Sequence, residues 1–220
     1  MSHNYVKKMK VLDSANATTI YTVPDTKTAF LNAFRVVETS NNATSHTLTV
    51  TDSSANVFAV WTNVALSAFN ERDVIPRNLV LNQGDVVKFT ATDANRITIH
   101  ASFLERDQGV NNTFVAHRKD HTSSGNATIY TVPTGKKAIV NSIILSNDHA
   151  SSTSGTTYAK FADSSDNEFS YAIGAVAAET AVELCARPQI MDEGEYIIVS
   201  PNTANTLHSH ASVLEISNPG

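Results

Sequence analysis

The pentapeptide Ile20-Tyr21-Thr22-Val23-Pro24 returns as Ile129-Tyr130-Thr131-Val132-Pro133, an offset of 109 residues. At that offset Lys27, Ala29 and Asn32 match Lys136, Ala138 and Asn141. Further along, D-S-S-A-N-V-F at 52–58 matches D-S-S-D-N-E-F at 163–169, and Q-G-D at 83–85 matches E-G-E at 193–195. H-A-S-F-L-E at 100–105 matches H-A-S-V-L-E at 210–215. The order is kept and the spacing drifts by no more than two residues, which is the signature of a duplicated unit. The predicted domains are 1–108 and 109–220. Tyr5-Val6-Lys7-Lys8 aligns with Phe114-Val115-Ala116-His117, which leaves 106–112 as a short polar connector around Gly109.

Each copy reads as strands. Helical periodicity is nearly absent, whereas alternation of polar and apolar residues is frequent, as in H-T-L-T-V-T-D at 46–52. Pro24 has no amide hydrogen to donate and closes the strand at 18–23, with Ile20 alternating against Tyr21. The segment at 28–38 is matched by 138–146, and 181–191 reads as one strand. A short helical turn is predicted in 64–72 and 175–179. Gly84 and Gly194 are expected at positive φ in turns. The count is about eight strands per copy at the spacing of a β-sandwich. The predicted fold is all-β, two tandem homologous β-sandwich domains of jelly-roll type, with each closing strand beside its opening strand.

Candidate chemistry is sparse. His208 and His210 are two apart on a strand and share a face, a possible start for a zinc site that needs further ligands. His100 repeats His210, but Thr98 stands where His208 would repeat, so a structural role is favoured. His117 and His121 sit in H-R-K-D-H rather than H-E-x-x-H and read as a solvated loop. Asp52, Asp163, Asp166 and Asn167 could offer oxygens to calcium, but a hairpin turn with Asx hydrogen bonds is the preferred reading. Cys185, the single cysteine, lies in an apolar run and reads as a small buried hydrophobe. Trp61, Tyr5, Tyr21, Tyr130 and Tyr171 read as packing residues rather than a sugar groove. No nucleophile elbow or phosphate-binding loop is present. The expectation is no enzyme activity, no cofactor and no metal.

Charge narrows the partners. The formal net charge is -5, without the basic field that nucleic-acid binding requires. Charged residues make up 17% against a usual value of about 25%, and Ser, Thr and Asn fill the surface. No apolar stretch has the length of a membrane span, and none near the N-terminus resembles a secretory signal. Sequons at Asn16, Asn42, Asn111 and Asn126 read as polar turns. The cluster Lys7, Lys8 and Lys10, with Tyr5 and Val6, reads as a partner-binding arm spanning 1–10 that orders on a neighbour.

The run A-T-I-Y-T-V-P-T-G-K-K-A-I-V-N-S-I at 127–143 resembles the opening of small β-sandwich structural proteins of tailed bacteriophages. The copy at 18–34 departs from it by having Asp25-Thr26 in place of Thr134-Gly135. The resemblance implies a non-enzymatic virion protein made in the host bacterial cytoplasm: a capsid decoration or cement protein, or a neck or tail accessory. Its implied partners are other virion proteins and copies of itself, in a trimer. The alternative is a receptor- or glycan-binding module of a tail fibre or baseplate. The first copy, carrying the arm, is the expected anchor.

Overall fold

The computed structural model describes residues 3–75, 77–108, 112–150, 153–185, 187–205 and 207–217. Met1 and Ser2 of the expected arm, Gly109 and Asn111 of the connector, Ser151 and Ser152 of the 148–155 tip, Ala186 and the first residue of the closing segment at 206–216 lie outside them. The chain divides into two compact units, Met1–Gln108 and Gly109–Gly220.

The first unit contains β1 (His3–Val11), β2 (Thr18–Thr22), β3 (Lys27–Glu38), β4 (Thr44–Thr51), β5 (Val57–Leu66), β6 (Glu71–Asp73), β7 (Leu79–Leu81), β8 (Val86–Ala91) and β9 (Ile97–Asp107). One antiparallel sheet runs β1-β9-β3-β6, with β7 also on β3, and the other runs β2-β8-β4-β5. The chain crosses between the sheets at each step from β1 to β4, pairs β4 with β5 as a hairpin, places β6 and β7 on β3, and crosses again to β8 and to β9, which returns beside β1. That is the jelly-roll order.

The second unit repeats it with β10 (Asn112–His121), β11 (Ala127–Thr131), β12 (Lys136–Asn147), β13 (Thr157–Ala162), β14 (Glu168–Gly174), β15 (Thr180–Glu183), β16 (Gln189–Met191), β17 (Tyr196–Pro201) and β18 (Leu207–Ser217). Its sheets run β10-β18-β12-β15, with β16 on β12, and β11-β17-β13-β14. The fold is all-β: two sandwiches, each of two antiparallel sheets. Each has nine described strands rather than about eight: in the second the segment read as one strand at 181–191 is split into β15 and β16, and in the first β6 forms ahead of β7. No helical turn forms at 64–72 or 175–179. β5 continues to Leu66, and the short strands β6 and β15 follow their turns.

The long strands explain how the sequence encodes an inner face. In β3 the register against β9 shifts between Leu31 and Ala33, leaving Asn32 as a bulge. An extra residue inverts the alternation, so Ala29 and Leu31 point inward before it, and Phe34 and Val36 after it. All four are fully buried. In β12 the same bulge falls on Asn141, and Ala138, Val140, Ile143 and Leu145 are buried on the same side. The apolar pattern A-x-L-x-x-F-x-V, repeated as A-x-V-x-x-I-x-L, is a strand with one inserted residue. Smaller shifts at Ile20 and Ile129 let both Ile20 and Tyr21 be buried, where strict alternation would expose one of them.

The turns repeat as well. Gly84 and Gly194 have φ of 78° and 80°, a region glycine enters freely. A Cβ on either would come within 3.3 Å of Ser53 Cβ or Ser164 Cβ, so both turns press on the D-S-S-x-N loop of their own unit. Asp85 and Glu195 close these turns by accepting the backbone N–H of Asn82 (2.6 Å) and Asp192 (2.8 Å).

Candidate functional site

The residues read as an arm form a strand. β1 pairs with β9 along its whole length, from His3 opposite Arg106 to Val11 opposite Thr98. Alternation then divides the basic cluster. Val6, Lys8 and Lys10 lie opposite Phe103, Ala101 and Ile99, which belong to the core, so these three face the inner side at the sandwich rim. Tyr5, Lys7, Met9 and Val11 lie on the outer side. The three lysines make no common patch, because neighbours in a strand point to opposite faces. Lysines aimed inward on an edge strand also discourage a second strand from pairing there. The outer row is mostly apolar, with Tyr5 79%, Met9 57% and Val11 56% exposed.

The histidines separate by environment. His208 and His210 do share a face of β18, opposite to core residues Leu207, Ala211 and Val213. His208 Nε2 lies 3.0 Å from Asp148 Oδ2, and Nδ1 lies 3.8 Å from Asp120 Oδ1. That imidazole holds Asp148 below the usual carboxylate range. Among the described residues no group of three or more His, Cys, Asp or Glu side chains is placed to hold a metal. His100 is exposed on the outer face of β9.

His117 and His121 correct the loop expected for them. Both lie on β10, opposite Ala211 and Leu207, and face inward. Their polar string H-R-K-D-H is a rim strand whose alternate members turn into the sandwich. His117 packs on Tyr130 with ring centroids 4.6 Å apart, and burial lowers its pKa. His121 is buried, and its Nε2 lies 3.0 Å from Ser209 Oγ. Ser209 is fully buried, so this pair holds no accessible nucleophile.

The D-S-S-x-N segments are Asx loops. Asp52 Oδ1 accepts the N–H of Ser54 and of Asn56 at 2.9 Å, and Asn56 Nδ2 donates to Asp52 Oδ2 at 2.9 Å. Asp163 repeats each bond with Ser165 and Asn167 at the same distances. The Asn167 side chain, then backbone N–H groups, hold Asp163 below the usual carboxylate range. Asp166 accepts the Tyr196 hydroxyl at 2.8 Å. Asp52 and Asp163 thus hold their own loops, and Asp166 ties its loop to β17.

Cys185 is fully buried, and its thiol lies 3.1 Å from the Arg187 carbonyl oxygen. Tyr21 and Tyr130 are core residues. Tyr171 meets Phe161 edge-on at 5.0 Å. Trp61 is half-buried under the Arg72 guanidinium, 5.8 Å from the ring centroid. Tyr158, whose counterpart in the first unit is Thr47, is 37% exposed on the outer face of β13. It lies in a concavity of about 370 Å³ with Asn126, Lys160, Ser200 and Asn202.

No family model matches the sequence, and no curated protein matches it. Solved structures give distant likenesses. The major capsid protein P2 of bacteriophage PM2 is 8% identical with a TM-score of 0.35, over 99% of this chain and 98% of that one. A chain from Sulfolobus turreted icosahedral virus is 11% identical with a TM-score of 0.31, over 98% of this chain, which spans 60% of its length. The tandem CBM22-1-CBM22-2 domains of Paenibacillus barcinonensis Xyn10C are 9% identical with a TM-score of 0.28, over 98% of this chain and 91% of that one. At these TM-scores the likenesses carry no argument about function.

Proposed function

We propose that this chain is a non-enzymatic structural protein of a tailed-bacteriophage virion, a capsid decoration or cement protein or a neck or tail accessory, acting through protein–protein contacts. The observation that carries this reading is the outer row of β1. Tyr5, Met9 and Val11 stand exposed in line on an edge strand, with only Lys7 between them. In the second unit half-buried Phe114 and Ala116 stand at the positions of Tyr5 and Lys7, and Arg118 and Asp120 at those of Met9 and Val11. An exposed apolar row running the length of the strand is therefore a property of the first unit, because the second turns charged beyond Ala116. Contiguous exposed apolar side chains mark contact surfaces. The resemblance of the I-Y-T-V-P segments to phage β-sandwich proteins supports the virion setting. The first unit is the anchor in this reading, and many copies on a repeating surface would sum weak contacts through avidity.

The test is co-sedimentation of the purified chain with particles that lack it. The Tyr5→Ser, Met9→Ser double variant is expected to stay folded and lose particle binding by about tenfold or more. A folded double variant that binds like the parent would overturn the assignment of this face. A folded parent that binds neither capsids nor tails would overturn the function.

A further inference from the structure

The two units carry the same concavity, and only one has been furnished. In the first it measures about 280 Å³, with Ser45, Thr47, Thr90 and Thr92 in its lining. In the second it measures about 370 Å³, and Thr156, Tyr158, Ser200 and Asn202 take the corresponding places in the repeat. Lys160 and Glu168 stand where the first unit has Thr49 and Val57. The shared shape belongs to the fold, so the difference in chemistry needs its own explanation.

From this difference we infer that the concavity of the second unit binds a neutral saccharide, with Tyr158 as its stacking platform. Tyr158 lies opposite Ser200 on β17 and opposite Ile173 on β14, and cross-strand partners share a face. Ile173 is 63% exposed and extends the apolar platform beyond the ring. Beside it runs a continuous polar chain. Ser200 Oγ donates to Asn126 Oδ1, Asn126 Nδ2 donates to Glu168 Oε1 at 2.9 Å, and Lys160 Nζ donates to Glu168 Oε2 at 2.7 Å. The chain fixes the orientation of the Asn126 amide.

The only two charges in this constellation, Lys160 and Glu168, cancel each other. Lys160 Nζ also lies 5.8 Å from the Tyr158 ring centroid, and with its charge offset by Glu168 the concavity offers an anion no net attraction, which favours an uncharged ligand. A sugar ring presents an apolar C–H face and a rim of hydroxyls. The Tyr158–Ile173 platform offers the first its match, and the Asn126, Ser200 and Asn202 side chains offer the second donors and acceptors. The volume suits a short saccharide in an open ligand cleft. Tyr with Ser, Gly and Asn is also a combination that gives rigid contact area with adaptable hydrogen bonding. β13 is a central strand, already paired on both sides with β17 and β14. An extended peptide therefore finds no free backbone edge at Tyr158.

The test uses the full chain on an array of neutral oligosaccharides of glucose, galactose and N-acetylglucosamine, with sialylated and sulfated sugars alongside, followed by titration of the best ligand. A neutral sugar should be retained. Tyr158→Ala should weaken it by about tenfold or more, Tyr158→Phe should keep it, and Thr47→Ala in the other concavity should leave it unchanged. Circular dichroism confirms that each variant is folded. Retention of no neutral sugar, retention of charged sugars alone, or unaltered binding by Tyr158→Ala overturns the inference. So does loss of particle binding, rather than sugar binding, in Tyr158→Ala, because the face would then be a protein contact. The virion reading stands or falls separately, on the β1 variants.

Discussion

His121 Nε2 lies 3.0 Å from Ser209 Oγ inside the second sandwich, where the repeat places Leu12 and Ile99 in the first. All four positions are buried. The second unit thus keeps a polar pair at a site the first fills with hydrocarbon. A buried polar group left without its partner costs about 1–3 kcal/mol, whereas removing both partners together is close to neutral. Ser209→Ala alone should therefore destabilise the chain by about that amount. Adding His121→Leu should recover most of the loss. Calorimetric unfolding of the full chain, arranged as a double-mutant cycle, checks the coupling. If the two losses simply add, the pair is not a unit.

Acid should act through the buried imidazoles. Burial, helped by the positive charge of Arg72, pushes His46 down to about 4. Burial, with Lys119 and His208 adding to it, does the same for His121. An unfolded chain titrates its histidines near 6.5. At neutral pH and above both rings are uncharged in either state, and no penalty arises. As the pH falls from about 6.5 to about 4, the unfolded chain takes up protons first and stability drops. Below about 4 this loss levels off, after a total on the order of 3 kcal/mol per histidine. Urea unfolding at about pH 7 and about pH 4.5 should show the drop. The His46→Leu, His121→Leu double variant should show a much shallower one, whatever its stability at neutral pH.

Thr26 marks where the first copy departs from the repeat. Its φ is 63°, and its counterpart Gly135 has 73°. A β-branched residue is strained in that region, and glycine is not. Thr26→Gly should stabilise the first unit by up to about 1 kcal/mol, after allowing for the greater freedom of glycine in the unfolded chain. Gly135→Thr should cost about 1–2 kcal/mol. A Cβ at Gly135 meets nothing within 4 Å, so that cost would be conformational and not steric. Melting temperatures of the two single variants test the pair of opposite signs.

Much of the scaffold was legible because duplication displays it twice. The matched I-Y-T-V-P and H-A-S-x-L-E segments pointed to strands that pair in the same way in both units. The bulges were harder to see, since one inserted residue at Asn32 or Asn141 breaks the alternation that identifies a strand. His117 and His121 were misplaced for a related reason. At a rim, a strand can carry a polar residue at every position, and H-R-K-D-H has no apolar member to reveal which side faces in. Proximity in sequence makes Lys7, Lys8 and Lys10 a cluster, whereas the pleat turns Lys7 away from Lys8 and Lys10. Tyr158 is invisible to the repeat because its counterpart is Thr47. The candidate sugar site lies where they differ, at Thr47 against Tyr158.

Glu105 ties three strands of the first unit together. Its Oε1 accepts the Tyr21 hydroxyl at 2.8 Å from the opposite sheet, and its Oε2 accepts the Asn4 side-chain amide at 3.0 Å from β1. Tyr21 also stacks on Phe103, with ring centroids 4.0 Å apart. In the second unit the matching bond, from Tyr130 to Glu215, is longer at 3.4 Å. Burial and the neighbouring carboxylate both raise the Tyr21 pKa, so the hydroxyl stays protonated and remains a donor throughout the stable range. Tyr21→Phe keeps the ring but removes a hydrogen bond to a buried charged group. It should cost about 1.5–3 kcal/mol, and Tyr130→Phe should cost less. The loss should also be felt at β1, because Glu105 without Tyr21 is a poorer anchor for Asn4. Hydrogen exchange of the β1 amides should speed up in Tyr21→Phe more than exchange in β4, which does not touch Glu105 through any of these bonds. Equal acceleration of β1 and β4 would mean that the bond serves the sandwich as a whole and not the strand that carries Tyr5, Met9 and Val11.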